Sequence, residues 1–395
     1  MNGKHEVVVL SGVRTAIGDY GGALKDFPPT QLGALVIREA VSRASVAPEE
    51  IGHCVFGNVI HTEPRDMYLS RVAAINGGLS IETPALTLNR LCGSGLQAIV
   101  SAAQCIQLGE AETAIGGGAE SMSRGGYWLP AARWGQRMGD GKVVDAMVGA
   151  LTDPFDDCHM GITAENVATK WEVSREEQDA FAVESHRRAA KAIDQGYFKS
   201  QILPIEIKSR KGVTIFDTDE HVRRDVSVDG LGKLRPVFQK DGTVTAGNAS
   251  GINDAAAAVV LMEASSAKRR GLKPMARLVA YSHAGVEPRF MGMGPVPAIR
   301  QVLERAGLRL SDIGVIELNE AFAAQALAVM KDLQLPGDRT NPNGSGISLG
   351  HPIGATGCIL TVKAIYELQR TNTRYALVSM CIGGGQGIAA IFERL

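Results

Sequence analysis

VIREAVSRASVAPEEIGHCVF (Val36–Phe56) can be laid over AIRQVLERAGLRLSDIGVIEL (Ala298–Leu318) without a gap. Ile-Arg, Arg-Ala and Ile-Gly recur at matching places, at an offset of 262 residues. Carried forward, that offset sets Cys92-Gly-Ser-Gly95 on Gly354-Ala-Thr-Gly357, and each opens an apolar run of helical character. Both runs lead to a glycine triplet, Gly116–Gly118 and Gly383–Gly385, the second copy being a few residues longer. Two amphipathic helices can resemble one another by chance; one offset shared by separated segments indicates a duplicated domain.

Each copy reads as helix, short β-rich run, loop, helix, short apolar run and glycine turn. Such alternation favours an α/β architecture with helices packed on sheets. EVVVLS (Glu6–Ser11) and ARLVAY (Ala276–Tyr281) are the opening strands, YALVSMC (Tyr375–Cys381) and GIAAIF (Gly387–Phe392) the late ones. Between the copies, roughly from 120 to 250, the texture changes. Ser174-Arg-Glu-Glu177 is a capping box ahead of a helix running towards Ile193. Lys208, Arg210, Lys211, Arg223, Arg224, Lys233 and Arg235 give this segment much of the chain's basic clustering. Charge pattern alone reads such a cluster as a solvated face.

The chain has 395 residues, 45% of them hydrophobic, enough for a large core and two or three structural units. A formal charge of −1 provides no general attraction for nucleic acid or an anionic membrane, so an anionic ligand needs local basic groups. The N-terminal apolar run is too short for a signal peptide or a membrane span, which points to the cytoplasm. Six scattered cysteines, none in a Cys-x-x-Cys pair, form no disulfide framework and lack zinc spacing, so no metal is expected.

Cys92 is the first candidate for chemistry. With a helix over Leu96–Leu108, it sits before the first turn, where unpaired N–H groups favour a thiolate. Gly93 and Gly95 allow a ligand to come close. A buried cysteine acting as a small hydrophobe fits the local sequence equally well. NPNGSGISLGHPIGATG (Asn341–Gly357) then gathers glycines around one histidine, His351, which Pro352 biases to an extended backbone. An imidazole near a thiol is a usual means of making a thiolate. SMCIGGGQ (Ser379–Gln386) places Cys381 before three glycines, including Gly383, whose N–H groups can form an oxyanion hole. Asn319 and Glu320 stand where a strand gives way to an alanine-rich helix; Asn319 can orient a water or a carbonyl, or cap the helix.

VRT (Val13–Thr15), NRLCGSG (Asn89–Gly95), GGAESM (Gly117–Met122), HMGITAENV (His159–Val167), TAGNASG (Thr245–Gly251), NEAF (Asn319–Phe322), GHPIGATG (Gly350–Gly357) and CIGGGQG (Cys381–Gly387) together resemble the thiolases, specifically bacterial acetyl-CoA C-acyltransferases. The likeness spans nearly the whole chain. It implies a thiolase-like α/β fold, two duplicated α/β domains in a layered αβαβα arrangement with an inserted loop domain. The expected bounds are 1–120 plus about 251–272 for the N-terminal domain, 121–250 for the CoA-binding loop domain and 273–395 for the C-terminal domain.

The resemblance further implies that Cys92 is acylated, that His351 lowers its pKa, and that Cys381 moves the α-proton of the second acyl-CoA. Asn319 would hold a water that binds one thioester oxygen together with His351; the N–H groups of Cys92 and Gly383 would bind the other. Ala246 and Ser250 match pantetheine contacts, Met160 and Phe238 its channel, and Arg223 a residue near the adenine nucleotide. Leu151, His159, Ala321 and Phe322 complete the implied CoA contacts. Gly230 stands where biosynthetic relatives carry a serine. Claisen condensation needs one group to carry the acyl unit and a separate base to make the carbanion. The thioester activates itself, so no cofactor is expected, with CoA, acetyl-CoA and 3-ketoacyl-CoA as substrates and a homotetramer, a dimer of dimers, as the assembly.

HMG (His159–Gly161) is like the short-chain biosynthetic branch, whereas NGSGISLG (Asn343–Gly350) is more like broad-range 3-ketothiolases. Acetoacetyl-CoA and somewhat longer 3-ketoacyl-CoAs such as 3-ketovaleryl-CoA are the expected substrates. A 3-ketoacyl synthase would share the fold but not Cys381 with its glycines, and a non-catalytic CoA-binding protein would not require both cysteines. A dinucleotide site is disfavoured, because the glycine run lacks G-x-G-x-x-G spacing and the acidic residue beyond it.

Overall fold

The apolar run that opens the chain becomes strand β1 (Val7–Thr15), and its side chains divide between two cores. Val7 and Val9 enter one, Val8 and Leu10 the other. A register shift between Val9 and Ser11 changes the parity, so that Val13 joins the face of Val8. The computed structural model describes residues 5–210 and 212–395, so Lys211 lies outside the described residues.

The N-terminal copy continues with α1 (Pro29–Ala44), β2 (His53–Gly57), α2 (Leu69–Asn76), β3 (Ala85–Leu88), α3 (Ser94–Gln107) and β4 (Thr113–Ser121). Between β4 and β5 (Asn253–Glu263) run short hairpins and two longer helices, α4 (Met160–Lys170) and α5 (Arg175–Asp194). The second copy follows as β6 (Ala276–Gly285), α6 (Pro295–Ala306), β7 (Ile313–Leu318), α7 (Ala323–Leu333), α8 (Thr356–Thr371), β8 (Tyr375–Ile382) and β9 (Gln386–Arg394). Ser174 caps α5 in the expected box with Glu177.

One continuous sheet runs β7-β8-β9-β6-β1-β5-β4-β2-β3. Its halves mirror each other. Reading outward from the antiparallel junction of β1 and β6, the strands β1-β5-β4-β2 match β6-β9-β8-β7, each with two antiparallel pairs and then a parallel one. This is the duplication that the 262-residue offset announces.

Alternation along the buried strands creates the layers. In β5, Ala255, Ala257, Val259 and Leu261 face one core, and Ala256, Ala258, Val260 and Met262 the other. The first core surrounds the central helices α3 and α8 and also takes Val378, Met380, Ile388 and Ala390 from the second half. The second lies under α1 and α2. A third, with Ala389 and Ile391, lies under α6 and α7. Helix, sheet, helix, sheet, helix is therefore the order through the molecule. Strands buried on both faces need apolar runs rather than half-polar alternation.

The central helices meet at equivalent glycines. A methyl group on Gly95 would lie 2.7 Å from the Cys358 amide nitrogen, and one on Gly357 2.3 Å from that of Leu96. The glycine triplets are not equivalent, contrary to the sequence reading. Gly116–Gly118 lie inside β4, where α3, β5 and the Gly354 carbonyl come too close for side chains. Gly383–Gly385 do form a turn, joining β8 to β9, with Gly384 and Gly385 at φ of 81° and 83°.

Candidate active site

Cys92 occupies one tight turn, Leu91–Gly93, directly before α3. The helix starts at Ser94, two residues ahead of the sequence expectation, because the Ser94 hydroxyl closes the turn. It accepts from the Arg90 amide at 2.8 Å and donates to the Leu91 carbonyl at 2.7 Å. Asn89 Oδ1 accepts from the Leu91 amide at 2.8 Å, and Leu91 is held at φ 46°, a strained conformation for leucine. Gly93 packs closely, since a methyl there would lie 2.6 Å from Ile382 Cδ1 and turn that side chain aside.

The Gly383 N–H points at the Cys92 sulfur and favours the thiolate, as does the N–H of Cys92 itself. Burial outweighs both and, with Glu120 adding repulsion, pushes the Cys92 pKa up to about 11. Burial thus works against the thiolate for which the sequence argued. Cys381, at the end of β8, is fully buried and also pushed up, by burial and then by the neighbouring Cys92.

His351 is buried, and burial pushes its pKa down to about 4. Its Nδ1 lies 2.7 Å from Thr356 Oγ1, and that hydroxyl lies 2.9 Å from the Pro352 carbonyl. A carbonyl can only accept, so the hydroxyl proton goes to Pro352 and Thr356 Oγ1 receives Nδ1–H. Nε2 is therefore the unprotonated nitrogen, the one that can take a proton, and Asn319 Nδ2 is its donor neighbour at 3.5 Å. The His351 amide donates to Asn253 Oδ1 at 2.9 Å, and Gly350, at φ 108°, passes too close to Asn253 for any side chain.

Asn319 follows β7, and its Nδ2 stands 3.5 Å from His351 Nε2. Its buried Oδ1 has no protein partner among the described residues. The capping alternative is ruled out because Phe322 is the residue preceding α7.

Cys92, His351, Cys381 and Gly383 line one cavity of about 400 Å³. Leu151, His159, Met160, Phe238, Ala246, Ser250, Ala321 and Phe322 line it too, and its wall is mostly apolar, as suits a small-molecule site. Phe238 stacks on His159 with ring centroids 4.6 Å apart and meets Phe322 edge-on at 6.3 Å. The Ser250 amide donates to the Ala321 carbonyl at 3.0 Å, docking the Thr245–Gly251 loop on the Asn319–Phe322 turn.

Arg223 is not brought into this cavity. It is exposed, borders a separate surface hollow, and donates its amide to His186 Nδ1 at 3.1 Å. Gly230 is exposed and donates to Ser227 Oγ in a short helix, Val228–Leu231. Lys208, Arg210, Arg224, Lys233 and Arg235 are exposed as well, in keeping with a solvated face.

Sequence reasoning missed Thr356 and Asn253, which fix His351. It also missed Asp19, Tyr20, Met122, Ile252, Met291 and Ile353 in the cavity wall. The only available signal was proximity to glycine motifs: Thr356 lies within GHPIGATG, and Met122 closes GGAESM.

The family model for the thiolase N-terminal domain matches residues 7–265, and that for the thiolase C-terminal domain matches residues 272–394. The chain is 69% identical over 391 residues to a beta-ketothiolase of Cupriavidus necator, covering 99% of each chain. It superposes on the crystal structure of the Bacillus anthracis acetyl-CoA acetyltransferase with a TM-score of 0.98 at 47% identity, covering 100% of both chains. It also superposes on human mitochondrial 3-ketoacyl-CoA thiolase in complex with CoA, with a TM-score of 0.96 at 45% identity, covering 99% of this chain and 98% of that one. With both domain models matched and the two halves of its sheet duplicated, the chain belongs to the thiolase family.

Proposed function

We propose that this protein is an acyl-CoA C-acyltransferase that cleaves 3-ketoacyl-CoA by thiolysis, and makes it by Claisen condensation, through an acyl group carried on Cys92. The observation that carries the reading is the cavity lined at once by Cys92, Cys381, His351 and Gly383. Beta-ketothiolase and acetyl-CoA acetyltransferase are the names of its relatives.

In thiolysis Cys92 gives its proton to His351 Nε2 as its sulfur attacks the 3-keto carbon. The Cα–C(keto) bond breaks, and the resulting acetyl-CoA carbanion takes a proton from the Cys381 thiol. Free CoA then gives its thiol proton to the Cys381 thiolate and attacks the Cys92 thioester. Cys92 departs and recovers its proton from His351. Donors aimed at the developing oxyanion lower the barrier: the N–H groups of Cys92 and Gly383 serve one oxygen, and His351 with a water on Asn319 the other. The high pKa of Cys92 favours transfer within the bound complex over a standing thiolate.

CoA, acetyl-CoA and 3-ketoacyl-CoA are the substrates, and the human relative was solved with CoA. We assign pantetheine to the wall of Leu151, His159, Met160, Phe238, Ala246, Ser250, Ala321 and Phe322, and the loop domain to 121–250. The thioester supplies its own activation, so the chemistry calls for no cofactor. A homotetramer is part of the same reading; the exposed Tyr127, Trp128, Trp134 and Met138 are apolar surface that a subunit interface would cover, and sedimentation tests it. A cytoplasmic location agrees with the absence, among the described residues, of any helix long and apolar enough to cross a membrane.

The test is thiolysis of acetoacetyl-CoA by free CoA in wild type, Cys92→Ser and Cys381→Ser. Loss in both variants, with acyl-enzyme trapped on wild-type Cys92, supports the two-cysteine mechanism. An inactive wild type overturns it and sends the question to malonyl decarboxylation. Acceptance of longer chains fails if kcat/KM for 3-ketovaleryl-CoA is negligible beside that for acetoacetyl-CoA.

A further inference from the structure

Glu120 is a wholly buried carboxylate at the end of β4 that the proposed reaction does not use. Both of its oxygens are occupied. Oε1 accepts from Asn58 Nδ2 at 2.9 Å and the Ile60 amide at 3.1 Å; Oε2 accepts from the Val59 amide at 3.1 Å and the Gly354 amide at 2.8 Å. All four partners are donors. A protonated carboxyl would turn its O–H against one of them, so the cradle fits the anion. Burial pushes the pKa of the group up to about 8 even with the Ile60, Gly354 and Val59 amides pulling it down, so it is the all-donor geometry of the cradle that marks the group as a carboxylate.

The donors come from two segments that meet at the site. Gly354 belongs to the loop that carries His351, and a methyl on it would lie 2.5 Å from Glu120 Oε2. Asn58–Ile60 follows β2, and Ile60 joins Ile353 and Met122 in the apolar cluster against which Cys92 packs. One side chain thus ties the histidine loop to the wall behind the nucleophile.

Resting on the reaction proposed above, we infer that Glu120 is a positioning residue, whose carboxylate clamps the Gly350–Gly357 loop to the Asn58–Ile60 segment and so sets His351 against Cys92. It touches none of the reacting atoms. Near-isosteric Glu120→Gln breaks the clamp, because its NH2 must face two N–H donors whichever way the amide turns.

We expect Glu120→Gln to lower kcat for acetoacetyl-CoA thiolysis by about tenfold to a hundredfold, the scale for small misplacements. KM for CoA should stay within about twofold, since the pantetheine wall is on other elements and binding and chemistry separate in such mutants. Iodoacetamide should alkylate Cys92 at a changed rate. Unchanged kcat, or kcat and KM falling into step, overturns the inference. Should Glu120→Gln fail to fold, Asn58→Ala, which removes one of the four donors, must show a smaller kcat loss at constant KM; no loss overturns it. If the wild type performs no thiolysis, the functional reading fails separately. Cys92 alkylation in Asn58→Ala, which keeps the Glu120 charge, then decides the placement, and a rate equal to wild type overturns it.

Discussion

Thr356 receives the Nδ1 proton of His351 at 2.7 Å because its own hydroxyl proton is committed to the Pro352 carbonyl. One hydroxyl therefore selects the imidazole tautomer that can act as a base through Nε2. Thr356→Val keeps the shape and removes the acceptor. The orphaned buried donor costs ~1–3 kcal/mol, or about a five- to 150-fold loss of kcat. KM for CoA should hardly move, and Thr356→Ser should restore most of the rate. Steady-state thiolysis of the two variants checks this; a serine variant as poor as the valine one would refute the tautomer argument.

Burial of His351 also ties stability to pH. Its pKa falls from the ordinary 6.5 to about 4 in the fold, so between those values the unfolded chain binds the proton that the folded chain refuses. The stability is fully present above about pH 6.5 and is lost as pH falls towards 4. The loss from this one group is on the order of 3 kcal/mol at 1.36 kcal/mol per pKa unit. His186 and His283, also lowered to about 4 by burial, act in the same sense. Urea unfolding of wild type and His351→Asn at pH 7, 6 and 5 isolates the one site. The advantage of the wild type should shrink at each step down, and a constant gap would contradict the assignment.

The chemistry was more legible in the sequence than its support. Cys92, His351 and Cys381 stand beside glycines because backbone, helix and substrate crowd them, and crowding leaves a mark in sequence. The 262-residue offset was legible for a related reason: Gly95 and Gly357 must let two helices touch. Thr356, Asn253 and Glu120 left no comparable mark. Asn253 reaches His351 across 98 residues and Glu120 reaches Gly354 across 234, so only the folded sheet shows their purpose. The glycines of β4 were misread as a turn because a strand squeezed between layers and a tight turn both exclude side chains. Arg223, expected near the nucleotide, borders a surface hollow of its own.

Lys363 and Glu317 form a fully buried ion pair at 2.7 Å, with the Gly344 carbonyl taking a second Lys363 proton at 2.6 Å. Burial pushes Glu317 up to about 7 while Lys363 pulls it down. Lys363→Met strands the carboxylate and should cost ~3–5 kcal/mol, as breaking one side of a buried pair does. Adding Glu317→Gln removes the stranded charge and should recover a large part. Denaturant midpoints of the single and double variants measure this, and a double variant less stable than Lys363→Met would argue against a charge-driven loss.

The pantetheine wall offers a prediction that separates binding from chemistry. A methyl on Gly161 would sit 2.2 Å from the Phe238 ring, so Gly161→Ala forces Phe238 off its stack on His159. Gly161 lies in the first turn of α4, where alanine suits the helix, so the fold should survive. The lost stacking and burial are worth ~1–2 kcal/mol, which predicts a rise in KM for CoA of about five- to thirtyfold with kcat within about threefold. Initial rates over a CoA series give both constants. A fall in kcat at unchanged KM would move Phe238 from the binding channel to the reacting centre, and unchanged constants would remove it from the channel.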